Sequence, residues 1–240
     1  MRQSNSYTVF FTVLVAAVAA LILSLASQAL KDRQTMNMEL DMKKNILTAV
    51  SLMGSDDCKD VMTCYKKYIK EQVVDSKGEI VKDVSAGNLN FVDELKKTKD
   101  TRHFPVFQYV KDEKVKSYCL PIVGKGLWST IYGYIALEKD LVTVRGITFY
   151  RHGETPGLGA EIEKSWFLNK FKGKKIIDKD GQLSSVRIVK GTVKKNSPDI
   201  FNEVDGISGA TLTCDGVNKL IKDSLLQYEP MLKKLRKEVK

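Results

Sequence analysis

Histidine is nearly missing from this chain: His103 and His152 are the only two among 240 residues. Chemistry that needs an imidazole base or a histidine ligand set has almost nothing to draw on. The four cysteines, Cys58, Cys64, Cys119 and Cys214, make no C-x-x-C pair and no Cys/His cluster. A zinc or iron–sulfur site is therefore not expected, and no metal site is assigned. No G-x-G-x-x-G opens a helix, which removes the usual dinucleotide fold. No arginine-rich block with interleaved aromatics occurs, so no nucleic-acid partner is expected. Internal repeats and low-complexity linkers are also missing. Acidic residues are in deficit, 29 against 39 basic ones, giving a formal net charge of +10. The excess is scattered as lysine doublets, such as Lys43-Lys44 and Lys194-Lys195. It suits a solvated basic surface, anionic lipid or a negatively charged cofactor. A hydrophobic content of 43% is enough for a real core.

What is present begins at the N-terminus. Ser4 to Leu30 carries no charged residue, and about 20 apolar residues suffice to span a bilayer. Tyr7 sits where an interfacial aromatic belongs. The run exceeds the apolar region of about 7–15 residues usual in a cleaved signal peptide. A retained anchor is thus expected, although Ser27-Gln28-Ala29 offers a small-x-small cleavage pattern. Orientation is less direct. Lys31, Arg33, Lys43 and Lys44 outnumber Arg2, which taken alone puts the rest of the chain in the cytoplasm. Long domains, however, cross largely regardless of charge. Cys58 and Cys64 are near enough in sequence to bridge in an oxidising compartment, or to remain buried free thiols.

Beyond the anchor, residues 31–68 read mostly as helix, broken near Gly54-Ser55-Asp56-Asp57. Strand signals then come in pairs: Glu71–Val74 with Glu79–Val81, Val106–Val110 with Val115–Val123, and Ile131–Leu137 with Val142–Tyr150. Residues 159–171 have near-helical spacing of Ile162, Trp166 and Phe171. Ile176–Ile177, the turn "DKDG" and Val186–Val189 suggest a further hairpin. From Gly216 to Lys237, Val217, Leu220, Ile221, Leu225, Tyr228, Leu232 and Leu235 share one helical face. The expected fold class is α+β: a single N-terminal transmembrane helix followed by a mixed antiparallel-sheet and helix domain. The expected boundaries are 1–30 for the anchor, 31–70 for a helical stalk, and 71–240 for the domain.

Three short stretches carry the chemistry. "DGISGATLTCDG", Asp205 to Gly216, sets Ser208 and Thr211 around the small residues Gly209 and Ala210. A helix is expected to begin near Thr213 to Asp215. Backbone N–H groups at a helix start are free donors that favour a phosphate. An ordinary turn with a capping hydroxyl explains the same spacing. "FYRHGETPGLGAEI" makes a tight turn, where Gly157 and Gly159 allow close approach to a flat ligand and Glu154 and Thr155 supply an acceptor and a donor at its edge. "GKGLWSTIYGYIAL" puts Leu127 and Trp128 among three glycines; an indole there lines a ring pocket or fills core.

In combination, "DGISGATLT", "HGETPGLGAEIE" and "GLWSTIYGYIAL" closely resemble the C subunit of the bacterial Na(+)-translocating NADH:quinone oxidoreductase, and the likeness extends to the N-terminal span. The resemblance implies an FMN-binding domain with FMN (covalent) joined by a phosphodiester to the Thr ending S-G-A-T, here Thr211. Ser208, Gly209 and Ala210 complete that motif. Glu154, Thr155, Gly157, Leu158 and Gly159, with Leu127 and Trp128 as weaker candidates, are then expected near the flavin. Asp205 is expected to serve recognition by a magnesium-dependent flavin transferase that attaches FMN from FAD. The resemblance further implies an electron-transfer subunit with no complete active site of its own. It would relay electrons from NADH toward ubiquinone, coupled to Na+ export, within a six-subunit complex of the inner membrane, its soluble domain in the periplasm. The G subunit of the Rnf complex shares the S-G-A-T and E-T-P-G-L-G elements and is the nearest alternative. A membrane-anchored flavoprotein sensor or binding module is a third.

Overall fold

A computed structural model of the chain describes residues 4–238. The chain divides into two compact units, residues 1–42 and 43–240. In the first, helix α1 (Asn5–Ala49) begins, and every described residue up to Asp41 is exposed. Val9, Phe10, Phe11, Leu14, Leu21, Leu23 and Leu25 look outward on all sides. By length and composition this helix is able to cross a membrane. An exposed run that is apolar all round suits lipid.

The last turns of α1, from Lys43, belong to the second unit, where Ile46, Leu47 and Ala49 are fully buried. After a non-helical break, α2 (Val61–Tyr68) starts at an Asp60 N-cap, whose side chain accepts the Thr63 N–H at 2.8 Å. Such a cap satisfies a donor that the first turn leaves free. Cys58 and Cys64 are joined as a disulfide across this entry, with Cα atoms 5.5 Å apart. Residues 43–68, expected largely as stalk, therefore lie within the globular unit.

Five strands follow in a simple antiparallel meander: β1 (Ile69–Asp75), β2 (His103–Lys111), β3 (Lys114–Lys125), β4 (Thr130–Glu138) and β5 (Val144–Arg151). Between β1 and β2 lies the short helix α3 (Phe91–Lys96). The β2–β3 connection is two residues, Asp112 and Glu113, both with positive φ. That is the turn whose twist matches a right-handed hairpin. The expected hairpins β2–β3 and β4–β5 are present with these turns. Glu79–Val81 contributes only a bridge between Ile80 and Val74.

Residues 159–171 form two 3₁₀ turns flanking a four-residue helix, α4 (Ser165–Leu168), rather than one long helix. The expected hairpin between Ile176–Ile177 and Val186–Val189 is also replaced. Ile177 makes a single bridge with Leu183, while β6 (Arg187–Val189) runs parallel to β7 (Glu203–Asp205). The reason lies in the clamp on β6. The Asn218 amide accepts the Ile188 N–H at 2.6 Å and donates to the Ile188 carbonyl at 2.9 Å. The final helix, α5 (Thr211–Glu238), carries Asn218 and continues through Pro230.

The side-chain alternation of a strand gives the sheet two faces. On one, Phe104, Val106, Leu120, Ile122, Ile135, Leu137, Ile147 and Phe149 meet Val217, Leu220, Ile221, Leu225, Tyr228 and Leu232 of α5. Within this layer the Ser224 hydroxyl accepts the Val123 N–H at 3.1 Å, and the Tyr228 hydroxyl donates to the Pro105 carbonyl at 2.9 Å. The other face presents Phe107, Tyr109, Cys119 and Tyr134, all buried. There Arg145 donates to the Val50 carbonyl at 2.7 Å, and Tyr68 meets the Tyr109 ring edge-on at 6.1 Å.

Leu220 is 1% exposed at the centre of the α5–sheet layer. Leu220→Ala leaves a cavity, and the expected cost is about 2–5 kcal/mol. Urea unfolding followed by circular dichroism measures it; a loss under about 1 kcal/mol would mean that this layer is not the core.

Candidate functional site

Three loops meet at the start of α5. The first is the segment after β7. Asp205 ends that strand, and both its oxygens are engaged: one accepts the Val193 N–H at 2.8 Å, the other Lys170 at 3.1 Å. The Val193 N–H and the Lys170 ammonium hold its carboxyl below the usual range, against the opposing effect of partial burial. Asp205, expected to serve recognition by a transferase, holds its own loop through these two contacts. Ile207 and Ala210 are buried, and Ala210 donates its N–H to the Ile207 carbonyl at 3.2 Å. Ser208, Gly209 and Thr211 are exposed between and after these two anchors. Gly209 has φ +74°, and a side chain there would meet Leu158 at 2.8 Å.

Thr211 is the first residue of α5, not a residue preceding it. The Ala210 carbonyl already accepts the Cys214 N–H at 2.9 Å, so the helical ladder starts three residues before the expected cap region. The N–H groups of the first turn precede that ladder and are the donors a helix leaves free. Thr211 and Leu212 are exposed, whereas Thr213 is 1% exposed.

The second loop contains Glu154, and its position departs from the expectation that it lies at the open edge of a ligand. The side chain is 5% exposed. Its carboxylate accepts the Thr213 hydroxyl at 2.6 Å. It also accepts the N–H groups of Leu127 at 3.3 Å, Trp128 at 3.0 Å and Ser129 at 3.4 Å. Burial alone would raise this carboxyl; the Thr213 hydroxyl and the three N–H groups outweigh it and hold the group below the ordinary glutamate value. Gly159 is buried for the same reason: a Cβ there would fall 2.6 Å from the Thr213 hydroxyl and 3.0 Å from the Glu154 side chain. Its glycine serves internal packing. Thr155, Gly157 and Leu158 are exposed, and the Thr155 carbonyl accepts the N–H groups of Leu158 and Ala160 around the Pro156-Gly157 turn. His152 accepts the Glu154 N–H through Nδ1 and faces Glu163 at 3.2 Å through Nε2.

The third loop is 126–129, brought in by the N–H groups just named. It leaves Trp128 69% exposed and Leu127 41% exposed. With Leu158 and Leu212 they make four exposed large apolar side chains on the three loops and the first turn of α5. Thr213 and Ser129 are the members of this site that motif reasoning does not single out. The available signal for Thr213 is the second hydroxyl of T-L-T, two positions beyond Thr211. Among the described residues no His, Cys, Asp or Glu group could hold a metal ion.

Residues 126–226 match the family model described as "FMN-binding domain". The chain is 34% identical to the C subunit of the Na(+)-translocating NADH-quinone reductase of Pseudomonas aeruginosa, across 92% of this chain and 91% of that protein. It is 32% identical to the protein of the same name from Vibrio anguillarum, across 98% and 96%. The crystal structure of the corresponding protein from Parabacteroides distasonis superposes with a TM-score of 0.73 at 35% identity, covering 85% of this chain and 96% of that one.

The Glu154 cluster has a signature in pH. A carboxyl held below its unfolded value adds stability above that value, about 4.3, and loses it as pH falls through the lower folded value. Glu154→Gln is expected to cost about 1.5–3 kcal/mol at neutral pH, as for hydrogen bonds to a charged group. The deficit should shrink as pH falls below about 4. Urea unfolding of both proteins across pH checks this, and a deficit independent of pH contradicts it.

Proposed function

The chain belongs to the family of the C subunit of Na(+)-translocating NADH-quinone reductase, and on that premise we propose that it is the membrane-anchored electron-transfer subunit of such a reductase, carrying FMN on Thr211. The observation that carries this reading is the exposed Thr211 hydroxyl at the first turn of a 28-residue helix. The residues fit the group. The helix start supplies N–H donors and a favourable dipole for a phosphate. Trp128, Leu127, Leu158 and Leu212 supply apolar surface for a ring. Thr155 and Gly157 border it, and Gly157 has φ +75° with open space where a side chain would stand. Bound FMN supplies one- and two-electron redox chemistry; the chain supplies attachment, orientation and electrostatics.

Attachment is a phosphoryl transfer. The Thr211 oxygen forms a bond to the FMN phosphorus of FAD, the pyrophosphate P–O bond breaks, AMP leaves, and the hydroxyl proton is released to a base on the transferase. Ser208 and Gly209 line the exposed approach, and Ala210 anchors the loop from inside. The wider reading follows the family: electrons pass from NADH toward ubiquinone in company with the other subunits of the complex, coupled to Na+ export.

The domain is assigned to the periplasm, tethered by the apolar start of α1. The bridged Cys58 and Cys64 support that side of the membrane, because disulfides persist in oxidising compartments. The basic residues after the span weigh the other way, but long domains cross regardless of charge.

Two experiments test this function. Co-expression with a flavin transferase should give a denatured band that fluoresces as flavin, and an intact mass increased by one FMN. Thr211→Ala should abolish both; a fluorescent Thr211→Ala band would move the attachment elsewhere. Separately, alkaline phosphatase fused after Lys240 should be active in cells, and a reporter that works only in the cytoplasm should be dark. The reverse pattern would place the domain inside.

A further inference from the structure

The Glu154 carboxylate has four protein donors from two different parts of the chain. One is the Thr213 hydroxyl, on the first turn of α5; three are the consecutive N–H groups of Leu127, Trp128 and Ser129. A carboxylate buried this deeply is costly unless its lone pairs are used, and here they are. Its contacts leave it facing inward, so it does not face the surface on which Thr211 stands.

We propose that Glu154 is a positioning residue for attachment at Thr211: by drawing Thr213 inward it turns the Thr211 hydroxyl outward, and by gathering three N–H groups it holds Leu127 and Trp128 at the same mouth. The inference rests on the reading that Thr211 carries FMN. The rotation follows from helix geometry. Successive residues are about 100° apart around the axis, so Thr211 and Thr213 point in directions separated by about 200°. Thr213 at 1% exposure and Thr211 on the exposed side match that arrangement. Gly159 completes the clamp. Any side chain there would collide with Thr213 and with Glu154 at once. The glycine at that position admits the hydroxyl–carboxylate contact.

A role through Thr213 predicts a pattern that a general loss of stability does not. Thr213→Val removes the hydroxyl while keeping the shape, and Thr213→Ser keeps the hydroxyl. With purified full-length protein in detergent, a flavin transferase, Mg2+ and FAD, the rate of covalent labelling is measured against FAD and against the protein substrate. Thr213→Val and Glu154→Gln should lower the maximal rate about 10- to 100-fold, the scale of a small misplacement of a reacting group. The KM for FAD should stay unchanged, and Thr213→Ser should label at the wild-type rate. Wild-type labelling speed in Thr213→Val, or equal slowness in Thr213→Ser, overturns the proposal. An unlabelled wild-type chain, or a labelled Thr211→Ala, overturns the attachment reading instead. Amide hydrogen exchange of the unlabelled wild type provides a check that needs no variant. The N–H groups of Leu127, Trp128 and Ser129 should be protected together with the first ladder N–H of α5, at Cys214; rapid exchange at the three loop positions overturns the clamp.

Discussion

Helix α5 must bury one face, and that requirement sets the rotation with which its N-terminus begins. Val217, Leu220, Ile221, Leu225 and Leu232 are all sealed against the sheet. Once they are, rotation of the helix about its axis is fixed, because a turn of even one residue would move the stripe by about 100° into water. The first turn inherits that rotation. Thr213 and Cys214 continue the buried side, while Thr211 and Leu212 continue the exposed side. Core packing along the helix thus sets the rotation that the first turn inherits, and the Thr213–Glu154 hydrogen bond at 2.6 Å holds the first turn in it. Hydrogen bonds that join Ser224, Asn218 and Tyr228 to strands β3, β6 and β2 reinforce the seating at three points.

Two carboxylates on separate loops then determine what surrounds that hydroxyl. Asp205 ties the incoming loop to Val193 and Lys170. Glu154 ties the outgoing helix to the 126–129 loop. Neither needs a metal or a ligand to justify its position, since each has protein donors for its charge. The division of labour is chemical: Glu154, buried, and Asp205, half-buried, organise the loops, while Ser208, Gly209, Thr211, Leu212, Leu127, Trp128 and Leu158 stand exposed. A flat, largely apolar ring with a phosphate tail matches such a surface better than a small polar substrate does. The lack of a base beside Thr211 among the described contacts also fits a residue that is modified by another protein rather than one that attacks a substrate unaided.

Much of this is readable from spacing. The β2–β3 and β4–β5 hairpins show period-two alternation over long strands with short polar turns, and the α5 stripe repeats over several turns. Such patterns are local and redundant, so few arrangements satisfy them. The β6–β7 pair is not readable, because each strand has three residues and β6 is held to α5 by Asn218, which lies some 30 residues after it. The start of α5 escapes a reading from spacing for a different reason: Gly209-Ala210-Thr211 carries no acidic or amide cap, so Thr213 to Asp215 is the stronger N-cap signal. The inward turn of Glu154 is hidden as well, since glutamates are almost never buried without partners. Three of its four donors are main-chain groups, which no side-chain pattern announces.

The buried carboxylate also bears on electrostatics at the helix start. A helix N-terminus stabilises negative charge with the equivalent of about half a unit of positive charge, spread over its free N–H groups. Glu154 takes the hydroxyl of the third helical residue and three loop N–H groups, and its charge is compensated mainly by the loop. The N–H groups of the first turn are thereby left for a second anion. Had a side chain of the helix's own N-cap accepted those donors, as Asp60 does for α2, the phosphate-binding capacity of α5 would have been spent internally. The contrast between the two helices is in the sequence itself: Asp60 stands immediately before α2, and Ala210 immediately before α5. A cap that stabilises a helix and an uncapped start that receives a ligand are alternative uses of the same orphaned donors, and the attachment proposed at Thr211 draws on the second, with Ala210 in place of a capping side chain.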